Sequence, residues 1–162
     1  MNPFRALAES FIRLTRPVVQ RLAAAYDLKV ERPMWPTGRH PIVFEDPTDL
    51  RLRTPKSVVF NTRSGAIHVG ADTVFSDDVH LLTGKHLNVA EAEATGMPLH
   101  SVPDTGRDIR IGRHCFFGKG AIVIGPVTIG DYAVIAAGAV VTHDVPSRSF
   151  AAGVPARVVR QL

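Results

Sequence analysis

The sequence predicts an all-β fold of short strands separated by tight corners, and two observations predict it. The first is a repeat of six residues: from Ile111 the chain reads IGRHCF, FGKGAI, VIGPVT, IGDYAV, IAAGAV, VTHDVP, without a break to Pro146. The first position of every block is apolar (Ile111, Phe117, Val123, Ile129, Ile135, Val141). The fifth is always small or β-branched (Cys115, Ala121, Val127, Ala133, Ala139, Val145). Internal periodicity of this kind outranks any local helix or strand signal. The second observation is the placement of Gly112, Gly118, Gly120, Gly125, Pro126, Gly130 and Gly138 within the same stretch. They would break a helix repeatedly, whereas short strands joined by tight corners require such residues.

Taken in order, residues 1–25 differ in character. Phe4, Leu7, Ala8, Phe11, Ile12, Val18, Val19, Leu22 and Ala23 recur at helical spacing, with Arg5, Glu9, Arg13, Arg16 and Arg21 largely elsewhere. This predicts an amphipathic helical arm with a kink or restart at Pro17. Residues 26–56 carry Pro33, Pro36, Pro41, Pro47 and Pro55 and read as an extended connector. The hexads then begin: Val69, Phe75 and Leu81 head VGADTV, FSDDVH and LLTGKH in the phase of the later blocks. Over 87–108 the rule fails, and a polar run with Gly96, Pro98, Pro103 and Gly106 reads as an excursion loop. Long loops of this kind in a domain are usually functional or disordered.

The 162 residues, 45% hydrophobic and 21% charged, suit one domain and exclude wholesale disorder, collagen and coiled coil. No stretch approaches a membrane span. The lone Cys115 excludes an internal disulfide framework and a cysteine-based zinc site, and fits a reducing compartment. Arg5, Glu9, Arg13 and Arg16 interrupt every apolar run in which a signal sequence could form, so a cytoplasmic protein is expected. A net charge of +4 favours an anionic ligand without naming one, and nucleic acid is not implied.

The blocks from Ile109, closing in VTHDVPSRSFAAGVPARVVRQL, resemble the hexapeptide-repeat acyltransferases, in the galactoside, maltose and polysaccharide O-acetyltransferase branch. The resemblance covers about residues 57–162 and implies a left-handed parallel β-helix. There, six residues make one strand and a corner, three sides close an 18-residue coil, and coils stack at about strand spacing, with first and fifth positions inward. It further implies a homotrimer with sites between subunits, acetyl-CoA as donor, and direct transfer to an acceptor hydroxyl or amine, a saccharide hydroxyl being preferred. No metal is expected.

Acyl transfer from a thioester needs a base to take the acceptor proton and a route returning it to the thiolate. Of seven histidines only His86 stands in a T-G-x-H corner, Thr83 to His86, where the family places its catalytic histidine. The family commonly continues with Asp or Pro; Leu87 and Asn88 follow here, which leaves the group orienting the imidazole open among Asn88, Asp78, Glu91 and Glu93. Asn61, in FNTRSG, resembles the residue that holds the acceptor hydroxyl, beside its reading as a turn asparagine. Asn88 is a second candidate for substrate binding. For the donor, the resemblance points to Lys119, Ala137, Thr142 and His143 along CoA, with Arg157 and Arg160 at the phosphates, where a planar guanidinium can bind two oxygens. An 18-residue stacking rule would also put Lys119, Ala137 and Pro155 in one column. Phe116 stands where relatives often carry Trp, and Cys115 reads as a core thiol.

Two other functions compete on this architecture. A γ-type carbonic anhydrase gathers zinc on three histidines; His68 and His86 are 18 apart and would stack, with His80 in the same phase. Its H-x4-H pair is absent, however. A non-catalytic trimeric scaffold is the other, or a membrane-surface adaptor using the arginine-rich arm; packing of the arm on its own trimer is the preferred expectation.

Overall fold

The computed structural model describes Thr15, residues 37–49 and residues 53–162. The arm expected over 1–25 therefore lies outside the described residues, apart from Thr15, which is helical. All the others belong to one unit, Pro33–Leu162.

Its first strands are β1 (Thr37–Gly38), β2 (Ile42–Phe44), β3 (Val59–Thr62), β4 (Ile67–Val69), β5 (Val74–Phe75) and β6 (His80–Leu82). A short helix α1 (Val89–Thr95) interrupts the series. Then come β7 (Ile109–Ile111), β8 (Phe116–Phe117), β9 (Ile122–Ile124), β10 (Val127–Ile129), β11 (Val134–Ile135), β12 (Val140–Val141), β13 (Ser149–Gly153) and β14 (Ala156–Gln161). From β4 to β12 successive strands enter three sheets in rotation, and β13 and β14 then both join the second: sheet I is β10-β7-β4-β2, sheet II is β14-β13-β11-β8-β5 and sheet III is β1-β3-β6-β9-β12. Every pairing is parallel except β13 with β14. One turn of chain thus contributes one strand to each side of a three-sided coil, and the three mostly parallel sheets are consistent with a left-handed β-helix core.

Register shows how strictly the hexad works. Val127 lies on Ile109, Val134 on Phe116 and Val140 on Ile122, in each case three hexads further along the chain. Across the excursion all three sheets step by seven hexads, as Ile109 lies on Ile67, Phe117 on Phe75 and Val123 on Leu81. The excursion therefore adds the length of four hexads at one corner between sheets III and I and leaves the stack in phase. The last coil is shorter, with Phe150 on Val134, two positions short of three hexads.

Two expectations change here. The segment read as a connector already joins the stack, since Thr37–Gly38 pair with Asn61–Thr62 and Ile42–Phe44 with Ile67–Val69. Neither strand contains a proline, and Pro41, just before β2, need only accept: Ile67 N–H donates to its C=O at 3.1 Å. The column of Lys119, Ala137 and Pro155 also fails at its top. The shortened step aligns Gly153 rather than Pro155 with Ala137, and the chain then reverses through Val154 and Pro155 into antiparallel β14.

All twelve hexad positions, first and fifth, are buried, none above 5% exposure. Phe44, Phe60, Phe75 and Phe117 continue the core as an aromatic chain; the last two stack with ring centroids 4.9 Å apart. Coils approach so closely at Gly118 that a Cβ there would lie 2.4 Å from the Ala137 nitrogen. At the corner between sheets I and II, Asp72, His114, Tyr132 and Arg148 all adopt left-handed φ. Their side chains stack up the edge: the His114 and Tyr132 rings are 4.8 Å apart, and the Arg148 guanidinium lies 4.7 Å above the Tyr132 ring. Cys115 is buried as expected, and burial pushes its thiol up. Among the described residues no helix is long and apolar enough to cross a membrane.

Candidate active site

The T-G-x-H corner is built on the coil beneath it. Thr83 N–H and Oγ–H both donate to Asn61 C=O, at 3.0 and 2.9 Å, while Thr83 Oγ accepts from Ser64 N–H at 3.0 Å. Gly84 then lies flat on Asn61 and Arg63, because a Cβ there would come within 2.8 Å of Asn61 Oδ1 and of Arg63 Cβ. Asn61 and the corner leading to His86 are thereby brought together. Asn61 Oδ1 accepts from Arg63 N–H at 3.0 Å, so its turn role is realised.

His86 is exposed, and its Nδ1 is 2.5 Å from the carbonyl oxygen of His100. A carbonyl can only accept, so Nδ1 carries the proton and Nε2 presents its lone pair. The group that orients the imidazole is thus a main-chain carbonyl of the excursion and none of the four side chains expected. His100 has φ +64°, a conformation costly for a residue with a Cβ. Leu87, buried, donates its N–H to Ser101 C=O at 2.8 Å and fixes the same contact.

The structure shows a local role for Asn88, two residues after His86. It is the N-cap of α1, its side chain accepting from Glu91 N–H at 2.9 Å while Glu91 Oε2 accepts from Asn88 N–H at 2.9 Å. This reciprocal capping box was legible as N-x-x-E at 88–91. Glu91 Oε1 also takes Lys85 Nζ at 3.1 Å and Arg107 Nη2 at 3.3 Å. The Asn88 N–H first, and Lys85 after it, hold the Glu91 carboxyl down to about 2.

The residues expected along the donor fall on two edges of the prism. Lys119 and Ala137 share the corner between sheets II and III, where Lys119 C=O accepts from Gly138 N–H at 2.9 Å and Lys119 Nζ lies 3.6 Å from Asp78. Thr142 and His143 follow β12 on the edge that also carries Thr83 to His86, and Thr142 Oγ is 2.9 Å from His143 Nδ1. His143 and Arg157 line one open cavity of about 360 Å³ with Asp144, Val145, Ala151, Ala156 and Val158. Arg157 donates to Ala156 C=O at 2.8 Å, and the Arg160 guanidinium lies 5.5 Å over the Phe150 ring. Phe116 is 43% exposed on the outer face of sheet II.

The stacked histidines of a zinc site do not form. At His86 the chain leaves the stack for the excursion, so His68 pairs with Val43 and Arg110 in sheet I and not with His86. Among the described residues no group of three or more His, Cys, Asp or Glu could hold a metal ion.

Comparison with known proteins bears on the same segment. Residues 108–143 match the model for the hexapeptide repeat of succinyl-transferase. The chain is 32% identical over 118 residues to galactoside O-acetyltransferase of Escherichia coli, across 64% of this chain and 58% of that one. It is 33% identical over 104 residues to serine acetyltransferase of Haemophilus influenzae, across 64% of this chain and 35% of that one. The chain thus spans less than two thirds of either relative. Among solved structures, a hexapeptide-repeat acetyltransferase of Vibrio cholerae complexed with acetyl-CoA superposes with a TM-score of 0.53 at 21% identity, over 76% of this chain and 61% of that one. A variant of the N-acyltransferase AntD of Bacillus cereus, in complex with dTDP and coenzyme A, gives 0.55 at 14% identity, over 77% and 62%. These two likenesses concern the fold. The repeat that the sequence spells, the coil it builds and the relatives that share it agree in one likeness, that of this chain to the hexapeptide-repeat acyltransferases.

Proposed function

We propose that the chain is a CoA-dependent O-acetyltransferase that moves an acetyl group from acetyl-CoA to a hydroxyl of a small or saccharide acceptor. The observation that carries the reading is His86 with Nδ1 committed to the His100 carbonyl and Nε2 open. An imidazole so held is a general base with a fixed lone pair. Nε2 takes the acceptor's hydroxyl proton as its oxygen attacks the thioester carbonyl. The C–S bond then breaks, and the departing CoA thiolate recovers the proton from the imidazolium. Asn61, under the same corner, holds the acceptor hydroxyl in this reading. Thr142 and His143 stand on the edge of His86 and suit the donor's pantetheine end, with Lys119 and Ala137 along it. The named activities of the E. coli and H. influenzae relatives agree with this chemistry. A screen of acceptors with acetyl-CoA, scored by thiol release and product mass, tests it; no transfer to any hydroxyl would reject it.

Arg157 and Arg160 are assigned to the CoA phosphates. Changing both to alanine is expected to raise KM for acetyl-CoA more than it lowers kcat, because the contact is equal in ground and transition states. Equal affinity for CoA and dephospho-CoA in the unaltered protein would remove a 3′-phosphate contact from this assignment.

A homotrimer completes the reading. The outward column of sheet I, Val43, His68, Arg110 and Thr128, is largely polar, whereas that of sheet III, Val59, His80, Ile122 and Val140, and that of sheet II, Val74, Phe116, Val134 and Phe150, are largely apolar. Two apolar faces of one prism suit packing against two neighbours. Light scattering is expected to give about three times 17.6 kDa; a stable monomer at micromolar concentration would sink the trimer.

A further inference from the structure

The excursion is tied at both ends to one carboxylate. Lys85 directly precedes His86, and its Nζ reaches Glu91 Oε1 at 3.1 Å. Arg107 stands at the far end, where the chain rejoins the stack; its side chain is 8% exposed, its guanidinium reaches the same oxygen at 3.3 Å, and its N–H donates to Ser64 C=O at 3.1 Å. The second oxygen, Oε2, closes the cap of α1. A separate strap holds the later part of the loop to the first coil, as His40 Nε2–H donates to Asp104 C=O at 2.6 Å and Arg39 lies 3.7 Å from Asp104. Between these anchors lies His100, whose left-handed backbone aims its carbonyl at His86.

Exposed ion pairs contribute little on their own. This one differs because removing Glu91 leaves the buried Arg107 guanidinium unpaired, and a buried charge without a partner drives local rearrangement. The rearranging segment is the one that carries the His100 carbonyl. Without that carbonyl nothing in the corner distinguishes the two ring nitrogens of His86, and the proton divides between them.

Resting on the assignment of His86 as the base, we infer that Glu91 is a positioning residue for it: by joining Lys85 to Arg107 it holds the His100 carbonyl on Nδ1 and keeps the lone pair on Nε2. Glu91 touches no reacting atom in this scheme. It acts through the loop, so its loss is felt in kcat and in the tautomer of His86 and not in the binding of the donor.

The test uses the full chain with 15N-labelled histidine, the His86 signals being identified by their loss in His86→Gln. Long-range proton–nitrogen correlations read which ring nitrogen is protonated. The unaltered protein is expected to show a single tautomer with the proton on Nδ1. In Glu91→Ala the two tautomers should exchange, kcat should fall about 10- to 100-fold, and KM for acetyl-CoA should stay within about twofold, as for a displaced catalytic group. Glu91→Gln retains the cap with Asn88 and loses both ion pairs, so it should fold and lie between the two. Glu93→Ala, on the same helix, should match the unaltered protein in both readouts. An unchanged His86 tautomer in Glu91→Ala and Glu91→Gln overturns the inference whatever the rates do, and so does a changed tautomer with an unchanged kcat. If the unaltered protein transfers no acetyl group to any acceptor while the tautomer still responds to Glu91, the assignment of His86 as a base fails and the positioning contact stands.

Discussion

Replacing His86 by alanine is expected to lower turnover by about 10²- to 10⁴-fold, the range that a general base supplies, while leaving the assembly and the affinity for CoA intact. The expectation follows from the ring's surroundings. The imidazole is exposed and does not belong to the buried core, so its removal opens no cavity. What it removes is the one nitrogen lone pair that the His100 carbonyl has fixed in place. His114→Ala supplies the comparison, because that ring stacks on Tyr132 at the edge between sheets I and II; it should retain most activity. Steady-state transfer to a verified acceptor decides the matter, and a His86→Ala protein as active as His114→Ala would remove His86 from the mechanism.

The second large effect is on stability. Phe117→Ala should cost about 3–5 kcal/mol, the usual range for truncating a buried phenylalanine, where a cavity is left behind. Phe117 is fully buried and stacks on Phe75 from the coil below, at the level where the excursion is inserted. The coils above and below are pinned backbone to backbone and can collapse on the void only partly. Phe116→Ala, one residue earlier and 43% exposed, should cost well under half as much in the isolated chain. Denaturant unfolding of the two variants side by side measures the contrast. Equal losses would mean that the hexad phase assigned to this strand is wrong.

The phase itself was readable because two inward positions per hexad are forced by the narrow prism, and Ile111 to Val145 obey it without exception. His86 was readable for a different reason: a corner that ends a regular run and opens a long insertion is a place where the stack no longer dictates the residue. What escaped the sequence were contacts that depend on the path of the insertion. The N-x-x-E spacing at Asn88 makes a helix cap, which the resemblance gave no reason to look for. Sequence points only to side chains as partners of His86, whereas the structure uses the His100 carbonyl, a group every residue possesses and no composition can flag. Pro155 fell out of its column because the last coil closes two positions short of the three hexads that the rule requires. Stacking rules extrapolate well inside the run and poorly at its end.

The uniform step of seven hexads across all three sheets carries a consequence for descent. Since four hexads' length of foreign chain can be spliced into one corner with no change of register above it, the frame and the insertion are separable heritable units. Substitutions inside the coils must satisfy close packing, while the insertion has room to change in length so long as its two ends, the Glu91 carboxylate that joins them and the carbonyl over the histidine are kept. A chain built this way can change at that corner without renegotiating its core.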